Sequence, residues 1–270
     1  MSVLAEPSSH GTAAAPPVLS LQGITKRFGA VQALTDVSMD VAPGEVVALV
    51  GDNGAGKSTL VKIISGVYQP DAGSITFDGR QVSVSGPSAA QDLGIATVFQ
   101  DLALCDNLDV VANLFLGQER LVGPVLDEVA MEKEAWRLLR TLSAKIPSVR
   151  IPIASLSGGQ RQTVAIARSL VGAPKVVMLD EPTAALGVAQ TAEVLNLVER
   201  LRETGLGVIL ISHNMADVQA VADRIVVLRL GRNAATFHTE EATTEALVAA
   251  ITGASDNVVA ARAGRKGAGS

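Results

Sequence analysis

The chain predicts an α/β protein on a mostly parallel sheet, with an antiparallel β subdomain and an inserted helical subdomain. Three observations lead there. Val-rich runs of strand length alternate with segments of helical periodicity, the pattern of βαβ units covered on both faces. Hydrophobic residues make up 48% of the 270 while aromatics make up 3%, so Val, Leu, Ile and Ala must fill the core. Helical patterning is concentrated in one central stretch, about residues 101–160.

The elements follow in order. The first 17 residues, MSVLAEPSSHGTAAAPP, lack a basic start and a continuous apolar run. They read as a flexible tail rather than a signal peptide. From Val18 to about Ile75, short β segments surround one strong strand, Val46 to Val50. A helix is expected from Lys57 to about Ser65, stopped by Gly66. AGSITFDGRQVSV reads as strand, Asp-Gly turn, strand. Ile95 to Phe99 is a further short strand. From about Asp101 to Pro152 the pattern becomes helix-rich, with Ala135, Trp136, Leu138, Leu139 and Leu142 at helical spacing. That makes Trp136 a core residue of a helical lobe. Strands return at Val176–Leu179, Val208–Ile211 and Ile225–Leu228, with helices between them as parallel pairing requires. The expected domain therefore spans residues 18–253. Residues 254–270 are Ala/Gly-rich, carry Arg262, Arg265 and Lys266, and read as a second tail.

Bulk properties exclude some function classes. A net charge of −5 argues against general nucleic-acid binding, which favours a basic surface. The one cysteine, Cys105, permits no internal disulfide and reads as a small apolar residue in a reducing compartment. No apolar run reaches the roughly 18–20 residues that span a bilayer. Each key motif occurs once, so the chain holds no duplicated nucleotide cassette.

The first motif is Gly51-Asp52-Asn53-Gly54-Ala55-Gly56-Lys57-Ser58-Thr59. It matches G-x-x-x-x-G-K-[ST] between a Val-rich strand and a helix. Glycines let the backbone wrap around phosphate with its N–H groups inward, and the helix N-terminus adds a positive dipole. Lys57 can reach the β/γ-phosphates and Ser58 can hold Mg²⁺. Val176 to Glu181 is an apolar strand ending in two acids. Alone, such acids are as readily solvated strand-end carboxylates. Beside a phosphate loop, Asp180 can hold Mg²⁺ and Glu181 can polarise an attacking water. His213 follows the strand VILIS, where a lone His is ordinarily a surface or cap residue. At the mouth of a parallel sheet it becomes a γ-phosphate contact. Gln100 ends its strand in the same way, and alone it is an ordinary loop residue. Leu156-Ser157-Gly158-Gly159-Gln160 has no titratable group, and its local reading is a helix N-cap.

These residues, in this order, resemble the ATP-binding subunits of ABC transporters, a P-loop NTPase (RecA-like) family. Gly51–Thr59 is similar to the Walker A motif, Gln100 to the Q-loop and Leu156–Gln160 to the family signature. Val176–Glu181 is similar to Walker B and His213 to the H-loop. The resemblance runs from about Leu19 to Gly253. It implies that Phe28, in KRFGA, stacks on adenine; read alone, Phe28 is a strand-end core residue. It also implies a head-to-tail dimer in which Ser157 and Gly159 of one copy close over the γ-phosphate held by the other. Substrate and metal would be ATP and Mg²⁺, the metal held by Ser58, Gln100 and Asp180. Glu181, His213 and Lys57 would carry the hydrolysis. Around the nucleotide the resemblance places Gly51, Asn53, Gly54, Ala55, Gly56, Thr59, Gly158 and Gln160.

The stretches QDLALCDNLDVVANLFLGQE, EPTAALGVAQ and SHNMADV resemble the monosaccharide importers. Transmembrane permease subunits and, indirectly, an extracytoplasmic sugar-binding protein are the implied partners. No nucleic acid is implied, and the implied location is the cytoplasmic face of the cell membrane. One departure stands out: Leu186 is followed by Gly187 where most members carry Asp. Rival readings are an ABC ATPase for another small solute, a nucleic-acid-associated ABC ATPase and a nucleotide-binding regulator. The absence of long heptad runs, of a Cys cluster and of site degeneracy counts against the last two.

Overall fold

A computed structural model describes residues 16–254. The tails expected at 1–17 and 254–270 lie outside the described residues apart from 16, 17 and 254. The elements run β1 (Leu19–Phe28), β2 (Val31–Val41), β3 (Val46–Val50), α1 (Lys57–Ile64), β4 (Ala72–Phe77), β5 (Arg80–Val82), α2 (Pro87–Leu93), β6 (Ile95–Val98) and α3 (Val110–Phe115). There follow β7 (Leu121–Val122), β8 (Val125–Leu126), α4 (Glu128–Thr141), α5 (Gly158–Ser169), β9 (Val176–Asp180) and α6 (Val188–Glu203). The chain then forms β10 (Gly207–Ile211), α7 (Met215–Val221), β11 (Arg224–Arg229), β12 (Arg232–His238) and α8 (Thr244–Thr252).

Six strands form the central sheet in the order β12-β11-β3-β10-β9-β6. All neighbours are parallel except the β11–β12 pair. Strict alternation divides its side chains between two cores. Val46, Ala48 and Val50, with Val177, Leu179, Val208 and Leu210, face the core that includes Leu114, Leu139, Val164 and Val198. Val47 and Leu49, with Val176, Met178, Ile209 and Ile211, face the core that includes Leu60, Ile63, Leu21 and Leu34. A strand covered on both faces has no polar positions, which is why these runs read as continuous apolar segments. Each fully buried aliphatic side chain contributes about 1.5–3 kcal/mol relative to exposure.

The second sheet is antiparallel, in the order β2-β1-β4-β5. Here the structure corrects the expectation of short β segments: β1 has 10 residues and β2 has 11. Their register slips between Leu21 and Ile24, where the extra residue falls at Gln22-Gly23 and Gly23 has φ 64°. It slips again opposite Asp36, at φ 53°. Each bulge inverts the in/out phase, so one long strand reads as several short ones. The Asp-Gly turn forms as expected, with Asp78 and Gly79 at φ 50° and 71°.

The segment after β6 is less helical than its composition predicts. It holds α3, α4 and a two-stranded β7–β8 hairpin turned at Gly123-Pro124. Ala135, Leu138, Leu139 and Leu142 are buried as their spacing requires, and Trp136 packs partly buried against the same core. Strand β12 was not among the expected elements: RNAATFH is largely exposed, with only Ala235 and Phe237 half-buried.

Registers bring the business ends of the strands together. Val98 pairs with Leu179, Leu179 with Leu210, and Leu210 with Ala48. The C-terminal ends of β6, β9, β10 and β3 therefore share one edge. The residues just beyond them are Gln100, Glu181, His213 and the loop opening at Gly51.

Candidate active site

The loop from Gly51 to Gly56 owes its shape to glycine at two positions. Gly51 has φ 151°, and a Cβ there would lie 2.3 Å from the Leu228 carbonyl oxygen. Gly56 has φ 105°, and a Cβ would meet Leu34 Cδ2 at 2.6 Å and the Ala33 carbonyl at 2.9 Å. At Gly54 (φ 79°) nothing lies within 4 Å, so only its conformation favours glycine there. Gly56 is the N-cap of α1 and offers no side chain to the first-turn amides. Those donors remain directed along the axis, with the dipole behind them. The Lys57 ammonium donates to the carbonyls of Gly51 (2.7 Å) and Asp52 (3.1 Å), which holds it along the loop. Asn53 and Ser58 are exposed, Thr59 is half-buried and Ala55 is buried under the loop.

The two acids after β9 have different surroundings. Burial, and then the Glu181 carboxylate, push the Asp180 carboxyl above the ordinary carboxylate range, against the pull of Lys57 and Lys62. A carboxylate so placed gains from a neighbouring cation. Glu181 adopts φ 50°, a left-handed conformation that costs a non-Gly residue about 1–3 kcal/mol. Its N–H donates to the Ile211 carbonyl at 2.9 Å, which pins the turn to the end of β10. There His213 Nδ1 lies 2.8 Å from Glu181 Oε2. With Nδ1 donating to the carboxylate, the neutral ring carries its acceptor at Nε2. The side chain of Glu181 is 16% exposed and that of His213 75% exposed, so the pair joins a sheltered acid to an open imidazole.

Sequence reasoning missed the support beneath this pair. Thr183 donates to the buried Asp217 at 2.7 Å, tying the turn after β9 to α7. Asn214, next to His213, caps α7 through the Ala216 N–H. Only the fold joins Thr183 to Asp217, so no local pattern announces it.

The start of α5 is capped by its own residues. Ser157 Oγ accepts from the Gln160 N–H at 3.2 Å, and Gln160 Oε1 accepts from the Ser157 N–H at 3.0 Å. This reciprocal cap stabilises the helix end by itself. Gln160 also donates to the Lys145 carbonyl at 2.9 Å. Ser157 and Gly158 are exposed, whereas Gly159 is buried. A Cβ at Gly159 would meet Gln190 at 3.3 Å and Glu193 at 3.4 Å on α6, so glycine there serves close helix packing. A Cβ at Gly158 would meet Leu186 Cδ2 at 3.2 Å, which couples this loop to the one preceding α6. Gly187 is the N-cap of α6, with φ −75° and ψ 163°, and open space where a Cβ would stand.

Phe28 is 41% exposed at the end of β1. Its ring meets Tyr68 edge-to-face at 5.1 Å, with Lys26 Nζ 5.5 Å from its centroid. Tyr68, the single tyrosine, was not anticipated; it fixes one edge of Phe28 and leaves the ring partly open. Gln100 is exposed beyond β6. The residues on either side of it, Phe99 and Asp101, line a groove of about 790 Å³ with Leu102, Leu116 and Arg168.

The ABC transporter family model matches residues 34–184. The chain is 47% identical over 215 residues to a xylose/arabinose import ATP-binding protein of Sulfolobus acidocaldarius, covering 80% of this chain and 86% of that one. It is 44% identical over 248 residues to a fructose import ATP-binding protein of Rhizobium meliloti, covering 89% and 95%. Its fold matches an ATP-binding cassette solved as a dimer in a post-hydrolysis state bound to ADP and Pi. That match has a TM-score of 0.69 and 27% identity, covering 82% of this chain and 98% of that one. The phosphate-loop sheet edge, the capped signature helix and these likenesses together place the chain in the ABC transporter family, as an ATP-binding cassette.

Proposed function

We propose that this chain is the ATP-hydrolysing subunit of an importer of monosaccharides. Its ATP-binding domain spans residues 18–253, with about 101–160 as the helical subdomain. The observation that carries the reading is the Glu181–His213 contact of 2.8 Å at the sheet edge that also bears the Lys57 loop. An acid held by an imidazole beside a phosphate cradle is equipped to orient water toward a γ-phosphoryl group. The two sugar-import relatives support the choice of solute class.

Adenine stacks on Phe28, and the loop Gly51–Thr59 wraps the phosphates with its amides while Lys57 turns from the loop carbonyls to the β/γ oxygens. Glu181 accepts a proton from the attacking water or orients it. His213 steadies Glu181 and faces the transferred phosphoryl. Acceleration comes from positioning and charge compensation. Ser58, Asp180 and Gln100 offer hydroxyl, carboxylate and amide oxygens, a donor set that suits Mg²⁺ with phosphate and water completing its shell. The raised Asp180 carboxyl fits a site made for a cation. When bound, the metal supplies charge neutralisation on the phosphate oxygens.

Ser157 and the first-turn amides of α5 belong to the site of a second copy, in a head-to-tail dimer. Among the described residues no helix is long and apolar enough to cross a membrane. Transport requires permease subunits, which dock in the groove beside Gln100 on the cytoplasmic face of the membrane. A sugar-binding protein outside feeds the permease. The test is uptake of radiolabelled xylose, fructose and ribose by a strain lacking the gene. Uptake of one sugar should be lost, be restored by the parental chain and not by Glu181→Gln. Unchanged uptake of every monosaccharide would sink the solute class.

A further inference from the structure

We propose that the β7–β8 hairpin is a second docking surface for the membrane-spanning partner, receiving an apolar segment of that subunit with a basic rim. The proposal rests on the importer reading above and adds a contact beyond the groove. Among the described residues, thirteen large hydrophobic side chains are exposed. Six of them, Leu116, Leu121, Val122, Val125, Leu126 and Val129, fall within one short stretch. Leu121, Val122 and Val125 are 62–66% exposed, and every residue from Leu116 to Leu126 is exposed. Scattered exposed aliphatics are normal, whereas two cross-strand apolar pairs exposed together on one hairpin, Leu121–Leu126 and Val122–Val125, mark an interaction surface.

The hairpin is also held in place. A two-stranded hairpin is at best marginal in water by itself. This one is pinned at its base by the Asp127 N–H to the Arg120 carbonyl (2.8 Å). The Arg120 guanidinium lies 5.8 Å from the Phe115 ring centroid and 3.9 Å from Glu134. Among the described residues β7 and β8 pair only with each other, so no described strand lies beside the outer ladder edges. The surface is continuous with the groove, whose lining includes Leu116, Gly117 and Gln118, just before the hairpin. Charge decides between protein and lipid as occupant. Glu119, Asp127 and Glu128 flank the apolar tip against Arg120 and Arg150, the latter 3.3 Å from Glu128, which leaves the rim net acidic. An anionic lipid surface is repelled by that rim, whereas a protein segment bearing Lys or Arg is attracted.

The experiment compares the tagged full chain with its Val122→Ser/Val125→Ser variant, expressed in the source organism and purified from membranes in mild detergent. Co-purifying polypeptides are quantified by mass spectrometry. Recovery of a multi-span membrane protein should fall about 10-fold or more in the variant. Val122→Ile/Val125→Ile should retain it. The ATP affinity of the isolated variants should equal that of the parent, which shows that they fold. A photo-crosslinker at Val125 should reach the same multi-span protein. Equal recovery by parent and serine variant overturns the hairpin proposal and leaves the importer reading standing. No multi-span partner even with the parent overturns both. Crosslinks only to a second copy of this chain overturn the proposal, as does parental binding to phosphatidylcholine/phosphatidylglycerol vesicles that the serine variant loses.

Discussion

Two helices of this protein begin at glycine-rich sequences, and they end their first turns in opposite ways. At α1 the N-cap is Gly56, which has no side chain, sits at φ 105° and leaves the first-turn amides uncapped. At α5 the N-cap is Ser157, and a reciprocal box with Gln160 satisfies the turn from within. The first helix start is an open anion site with Lys57 beside it. The second is stable alone and offers what remains: a hydroxyl and the Gly158 and Gly159 amides, which precede any intrahelical acceptor. The contrast shows how a divided site is built. In the proposed dimer, the half that grips phosphate has no side-chain cap and the half that closes over it keeps one.

The sharpest way to break this comparison is to remove the proposed base from the open half. Glu181→Gln is expected to retain ATP binding and to lower phosphate release about 10²–10⁴-fold. Release at the parental rate would remove Glu181 from the chemistry. Next come paired variants that separate the two helix starts. Lys57→Ala should weaken ATP binding by the isolated chain about 10–100-fold, the loss of a charge-assisted contact. Ser157→Arg should leave that affinity unchanged yet lower steady-state turnover about 100-fold, since a bulky cation replaces the donor offered to the second copy. Equal damage to monomer binding by both would mean that the two starts serve one chain.

A smaller effect concerns stability. Asp180 has its carboxyl raised in the folded state, so the folded chain binds more protons than the unfolded one above the ordinary carboxylate range. Its contribution is therefore most favourable in acid and is lost as pH rises through the raised value. Asp180→Asn should raise the Tm of the nucleotide-free protein at neutral pH by up to about 2 °C, with the gap narrowing toward acid. A gap that widens in acid would reverse the sign. The smallest change is at Gly187, whose backbone already has N-cap geometry and free space for a Cβ. Gly187→Asp should stabilise α6 by a few tenths of a kcal/mol, read by thermal unfolding. A loss of stability would show that the loop touching Gly158 resists a side chain.

The sequence by itself determined the parallel core and the position of the candidate site residues at its edge. Val46 to Val50 and Val176 to Leu179 are buried on both faces, so every position is apolar and the run is unmistakable. Gly51 to Thr59 is legible because phosphate binding imposes glycine, lysine and hydroxyl at fixed neighbouring positions. Elements with broken or weak periodicity were hidden: β1 and β2 behind their bulges, β12 on an exposed edge and the β7–β8 hairpin inside a stretch that reads as helical. Tertiary structure alone decided the contacts between residues distant in sequence. It set Tyr68 against Phe28, Thr183 on Asp217, Gly159 against α6 and His213 on Glu181. The reason is physical. Local pattern records what a residue needs from its own strand or helix, whereas these partners are chosen by sheet order and register, which no short window contains.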